Sequence, residues 1–185
     1  MQLLFETFRI YLNAIKQVLI SKNKISPKDE IVFVPAGGVK GISGVVSILG
    51  GKDGELPYVI VDSDQSGKNL INKLNSGLYK GSNAKIIELG NVTTIQNAEI
   101  EDIIPYKHLE KGINYLFHEL EEDEFERDST LSIIPQIESF ASSHSVILPD
   151  GWKVELAKKA KRSILTKETS DSELEKCVSL FSSFV

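Results

Sequence analysis

The chain has 185 residues, 41% of them hydrophobic and 25% charged, with a net charge of −5, enough to bury one core with or without a small appendage. The acidic balance excludes a surface that is basic throughout, so any nucleic-acid contact needs a local basic patch or bridging cations. The lone Cys177 excludes an internal disulfide and a cysteine-based zinc site, and no run reaches the roughly 18 apolar residues of a membrane span. Glu6, Arg9 and Lys16 interrupt the apolar N-terminal stretch, so it does not read as a signal peptide, and the expectation is a soluble, cytoplasmic protein.

In chain order, Leu4, Phe8, Tyr11, Ile15, Val18 and Leu19 recur at spacings of three and four and predict an amphipathic helix over residues 2–22. The β-branched run "IVFVPA" (31–36) predicts a buried strand ended by Pro35 and by Gly37–Gly38. Residues 42–49 predict a short helix and "GGKDGELP" a loop. A second strand is expected over 58–62, a helix capped by Asp64 or Ser66 through about residue 79, and a third strand over 84–89. Strands alternating with helices at these spacings predict a parallel sheet covered on both faces, with its functional loops outside the carboxyl ends of the strands. The Gly37–Gly38 turn, the Asp62/Asp64 turn and the segment after Leu89 are therefore expected on one edge.

The remainder reads as helical. Residues 100–120 form a helix or helix pair broken near Pro105, "EEDEFERDS" is a solvated acidic connector, and helices follow over 131–144, 149–166 and 171–184. This divides the chain into an α/β core over 1–125 and a helical extension over 126–185 that packs on it. The first helix has a strand after it and none before it, as though the chain enters a parallel α/β fold one strand late.

The chemistry concentrates in "YVIVDSDQSGKNL" (58–70). Asp62 and Asp64 stand two apart at a strand end and can lean toward one point, with Ser63 facing away and Gly67 allowing a tight entry into the helix. After the third strand, "NAEIED" supplies Glu99, Glu101 and Asp102. Two acidic turns at neighbouring strand ends suit a hard divalent cation. Equally, Asp62 and Asp64 suit a strand end and an N-cap, and Glu99–Asp102 suit the first turn of a helix. At 100° per residue Lys153 falls on the apolar face of its helix, with Leu156, Ala157, Ala160 and Ile164. It either snorkels or reaches into a site. Lys158, Lys159 and Arg162 point elsewhere and form either a DNA-backbone patch or a solvated face. His108, His118 and His144 have no ligand spacing, Trp152 reads as a packing anchor, and "AGGVKG" lacks the full phosphate-loop pattern.

Taken together, "IVFVPAGGVKGI", "YVIVDSDQSGK", "AEIEDIIP" and "GWKVELAKKAK" resemble the C-terminal Toprim domain of OLD-family (overcoming lysogenization defect) nucleases, over roughly residues 1–165. The DSDxxG turn is shared by Toprim domains generally, and the other phrases point to the OLD branch. The resemblance implies a Toprim-like parallel sheet flanked by helices, with a C-terminal helical extension. It implies Asp62, Asp64, Glu99 and Glu101 as ligands of Mg²⁺ or Mn²⁺, Asp64 and Lys153 as catalytic residues, and Lys158, Lys159 and Arg162 as DNA-backbone contacts. DNA is the implied substrate, ATP acts only through a separate ATPase domain or chain, and a homo-oligomer and a role in anti-phage defence are further implications. Toprim domains begin with a strand ending in a glutamate, in a "VEGxxD" phrase, whereas this chain starts at "MQLLFETF" inside the following helix. The expectation is thus a nuclease domain that is incomplete or weakly active alone. The alternative is a non-catalytic assembly module whose partner chain supplies the missing strand; a receiver-like domain fits the order of its acids poorly.

Overall fold

The apolar stripe of the first helix does what its spacing requires. α1 (Leu4–Ser21) buries Tyr11, Leu12, Ala14, Ile15 and Leu19 along one face. The computed structural model describes residues 4–36, 39–53, 55–120 and 125–184, and the chain is mixed α/β and mostly helical. α2 (Val39–Asp53) is followed by β1 (Val59–Val61), α3 (Gln65–Ser76) and β2 (Ile86–Glu88). Four further helices complete the described chain: α4 (Tyr106–Leu116), α5 (Ile133–Ser143), α6 (Trp152–Thr166) and α7 (Glu175–Ser182).

β1 and β2 pair in parallel, with Val59 opposite Ile86 and Val61 opposite Glu88, so α3 is a crossover helix between parallel neighbours. Asp64 accepts a hydrogen bond from the Gly67 N–H at 2.7 Å and caps α3, whose inner face buries Gly67, Leu70 and Leu74. α2, β1 and α3 enclose one small apolar cluster around Ile42, Val46, Val59, Val61 and Tyr79. The larger core runs from α1 and β2 through α4 to α7. Within it α6 packs against both α1 and α4.

Two expectations are corrected. Residues 31–36 form no strand; among the described residues the sheet has two strands. Phe33 turns instead toward α7, its ring centroid 5.9 Å from that of Phe181 in an edge-on contact, while Lys16 Nζ donates to the Ile31 carbonyl at 2.7 Å. Aromatic packing and a lysine thus hold this segment where ladder bonds were expected. The stretch read as the loop "GGKDGELP" is helical through Asp53, because α2 runs well beyond residue 49. The Gly37–Gly38 turn and residues 121–124 of the acidic connector lie outside the described residues.

Gly67 is fixed by close approach. A Cβ placed there would stand 2.0 Å from the Asp62 carbonyl oxygen, so only glycine lets the strand end fold straight into α3. Gly67→Ala is expected to destabilise the protein by about 2 kcal/mol or more, read as a lower urea midpoint; an unchanged midpoint would show that the turn has room to spare.

Candidate functional site

The site begins with a turn. Asn97 takes a left-handed φ of 55°, a conformation asparagine tolerates, and the chain then runs back past the end of β1. The Ser63 N–H donates to the Ala98 carbonyl at 3.0 Å, and the Ser63 hydroxyl accepts from the Gly90 N–H at 2.6 Å. Those two bonds pin the end of β1 to the chain that follows β2. Asp62 immediately precedes Ser63 at the end of β1, and Glu99 immediately follows Ala98.

Glu99, Glu101 and Asp102 belong to a single helical turn, Ile100–Ile103 with its N-cap. Asp102 has a structural task. Its carboxylate accepts from the Glu99 N–H at 3.0 Å and from the Ile133 N–H at 2.9 Å, tying this turn to the start of α5. Glu101 is 2% exposed. Lys153, in the first turn of α6, brings its ammonium to 3.4 Å from Glu99 and 3.8 Å from Glu138. The inward angle of Lys153 on its helix thus delivers it to a carboxylate. Trp152 packs against the core, with the Lys153 ammonium 5.6 Å from its ring centroid.

Electrostatics show how closely these groups are coupled. Burial raises the Asp62 carboxyl to about 8, reinforced by the nearby charges of Glu99 and Asp64 and opposed by Lys153 and the Ile100 backbone N–H. Burial likewise raises Glu101, aided by Glu99 and Asp62, and raises Glu99 against the pull of Lys153. Asp62 Oδ1 is shut off from solvent and accepts no hydrogen bond. Asp62, Glu99 and Glu101 therefore share Lys153 as their cation.

Asp64 stands apart from this arrangement. It is exposed, and its carboxylate is engaged by the Gly67 N–H and by the Ser66 hydroxyl at 2.8 and 2.9 Å. With Asp64 turned into its own helix and Glu99 turned toward Lys153, no group of three His, Cys, Asp or Glu residues among the described residues is arranged as a ready metal cage. The donor set still fits a hard cation by chemistry: every candidate ligand is an oxygen, and one buried carboxylate oxygen lacks a partner.

The three expected DNA-contact cations lie further along α6. Lys158 is paired with Glu155 at 2.7 Å, Lys159 lies over the Tyr115 ring at 3.0 Å from its centroid, and Arg162 faces the cleft between α4 and α6. Sequence reasoning missed Tyr11 and Glu138. Tyr11 is fully buried, its hydroxyl has no hydrogen-bond partner, and burial together with the charge of Glu101 raises its pKa. A tyrosine on an otherwise apolar stripe was the available signal, because a buried hydroxyl usually seeks a partner. Glu138 carried none, being one acid on an exposed helix face.

No family profile, no curated protein and no solved structure matches this chain.

The raised pKa of Asp62 sets a pH dependence whose sign is fixed. Folded Asp62 holds its proton up to about pH 8 against an ordinary value of 3.8, so its contribution to stability is complete below the ordinary value and is lost as pH rises toward 8. In metal-free buffer the urea midpoint of the protein is expected to fall between about pH 5 and about pH 8 more steeply than that of Asp62→Asn, with the variant at least about 1 kcal/mol the more stable at the upper end. Parallel profiles for the two proteins would remove the buried-acid description.

Proposed function

We propose that this chain carries a divalent-cation site for the hydrolysis of DNA phosphodiester bonds, on a Toprim-like core of the OLD-family kind, with Asp62, Glu99 and Glu101 as its oxygen ligands. The observation that carries this reading is the charge imbalance of the cluster: three enclosed or half-enclosed carboxylates, one with an unpartnered oxygen, share one lysine. Keeping these acids ionised away from water is costly, so without a metal Asp62 holds its proton up to about pH 8, and a divalent cation would take that proton's place. The parallel β1–α3–β2 unit, with Asp62 at a strand end, supports the Toprim-like reading.

Mg²⁺ or Mn²⁺, when bound, supplies an activated water and stabilises charge developing on the phosphate and the leaving oxygen. The chain's own residues do the positioning. Burial and the Ser63–Ala98 bond hold Asp62, and the Ile100–Ile103 turn holds Glu101. Lys153 exchanges Glu99 for a phosphate oxygen, so that a preplaced ammonium meets the anionic centre. Asp64, at the rim, orients water or a second ligand, and Lys158, Lys159 and Arg162 meet the DNA backbone. ATP acts through a separate ATPase domain or chain, and the active assembly is a homo-oligomer. Hydrolysis by the chain alone, without that ATPase, is weak.

Isothermal titration with Mn²⁺ is expected to give saturable binding that Asp62→Asn abolishes, with slow nicking of plasmid DNA that Lys153→Ala lowers further. An absence of heat in the intact protein defeats the metal assignment. Vigorous nicking that survives Asp62→Asn places the chemistry elsewhere.

One observation favours a second reading, an assembly module. Val32 and Val34 are 67% and 52% exposed and line, with α1, α2 and β1, a largely apolar cavity of about 160 Å³. An added strand would cover such a surface. Sedimentation velocity that shows dimers dissociated by Val34→Lys supports that reading, and a concentration-independent monomer rejects it.

A further inference from the structure

The seam between α4 and α6 has an unusual composition. His108, Lys111, Gly112 and Tyr115 follow the i, i+3, i+4, i+7 rule of one helix face, and Lys159, Arg162, Ser163 and Thr166 repeat it on the facing helix. Faces of this kind, where two helices meet, are ordinarily apolar. Here the helices touch at Gly112, where a Cβ would stand 2.6 Å from Leu156, and beyond that contact they open into a cleft of about 370 Å³. That volume lies within the range of small-molecule sites.

Four cations line the cleft: Lys111 from α4, Lys159 and Arg162 from α6, and Lys167 just after α6. No carboxylate lines it, and among the described residues none of the four forms an ion pair. Glu155, the acid of α6, pairs with Lys158 at 2.7 Å and is also felt by Lys159 and Arg162 from outside the lining. In a chain of net charge −5 this concentration is not a drift of composition. The floor is rigid and neutral. His108, 2% exposed, bonds the Ser163 hydroxyl through Nδ1 and the Thr169 hydroxyl through Nε2, each at 2.9 Å, and burial lowers its pKa to about 4. Burial lowers the Lys159 pKa; Glu155 opposes that shift and Lys111 adds to it, so part of the positive charge facing the cleft is left for an anion to offset.

We propose that this cleft is a second ligand site, an anion site that takes a phosphate ester through Lys111, Lys159, Arg162 and Lys167. The helical rise puts Arg162 roughly 14 Å along α6 from Lys153, so the cleft is distinct from the carboxylate cluster. Lys159 and Arg162 are also the DNA-backbone contacts of the proposed nuclease, so the nucleic-acid outcome deepens that reading, while the anion chemistry itself holds whether or not the carboxylate cluster takes a metal. The phosphate ester comes either from a free nucleotide or from a nucleic-acid strand, and the two sources are separable.

The test is calorimetric titration at low salt in EDTA, which keeps the carboxylate cluster out of the measurement. The probes are inorganic phosphate, ATP and a short single-stranded oligonucleotide. Saturable binding of at least one probe is expected, weakened roughly tenfold or more by Lys159→Ala/Arg162→Ala and by Lys111→Ala/Lys167→Ala. Lys161→Ala, an exposed cation outside the cleft, controls for the loss of a surface charge and is expected to bind as the parent does. ATP binding more tightly than phosphate, with no gain for the oligonucleotide, assigns a nucleotide; a large further gain for the oligonucleotide assigns a strand. Amide shifts of the unmodified protein, centred on Tyr115 and Thr166 as the probe is added, report the same site without any substitution. Absence of binding by all three probes at millimolar concentration overturns the proposal, as does a loss no greater than that of Lys161→Ala.

Discussion

The position of α6 is the constraint on which both ends of this molecule depend. Leu156, Ala157, Ala160 and Ile164 are buried along it; a fully buried leucine or isoleucine side chain contributes about 1.5–3 kcal/mol. The two alanines allow a close fit, and Gly112 of α4 admits Leu156 where a side chain would collide. Held between α1 and α4, the helix has little freedom to rotate or slide. Its first turn therefore points Lys153 at Glu99, and its last two turns face Lys159, Arg162 and Thr166 into the cleft with α4. One apolar stripe sets the direction of every cation the helix carries.

The two ends are electrostatic opposites. At the first turn several acids share one lysine, and burial drives them toward their protonated forms. At the last turns four cations face one another without an acid among the residues lining the cleft. Neither arrangement is favourable in isolation, because like charges brought together out of water lose hydration without gaining a partner. A fold selected only for stability would interleave the signs, as the pairs Lys24–Asp171 and Lys107–Glu173 do. The separation of charge is the basis on which a ligand of opposite sign is proposed for each end.

Much of the local structure was legible in the sequence. The three-and-four spacing of α1, the cap at Asp64, the tight turn at Gly67 and the inward angle of Lys153 each follow from rules acting within about a dozen residues. The segment 31–36 was misread for an equally physical reason. A short β-branched run is compatible with a strand, but a strand exists only through its neighbour, and Phe33 found its partners on α7, nearly 150 residues later in the chain. The two aspartates of "VDSD" illustrate both sides. As a pair they read either as metal ligands or as a strand end with a cap; Asp64 caps α3, while Asp62 is drawn inward beside Glu99.

By itself, then, the sequence determined the helices, the parallel β1–α3–β2 unit and the location of the acids, because periodicity, capping and turn chemistry are properties of neighbouring residues. Only the tertiary structure decided which acids meet. Asp62 and Glu99 are joined through the Ser63–Ala98 hydrogen bond, Tyr11 arrives from α1 and Lys153 from α6, and Asp102 is claimed by the backbone of α5. The facing of Lys111 and Tyr115 toward Lys159 and Arg162 was likewise invisible along the chain, since it depends on the Gly112–Leu156 contact that sets how closely two distant helices approach. Burial and charge coupling act between residues that only packing makes neighbours.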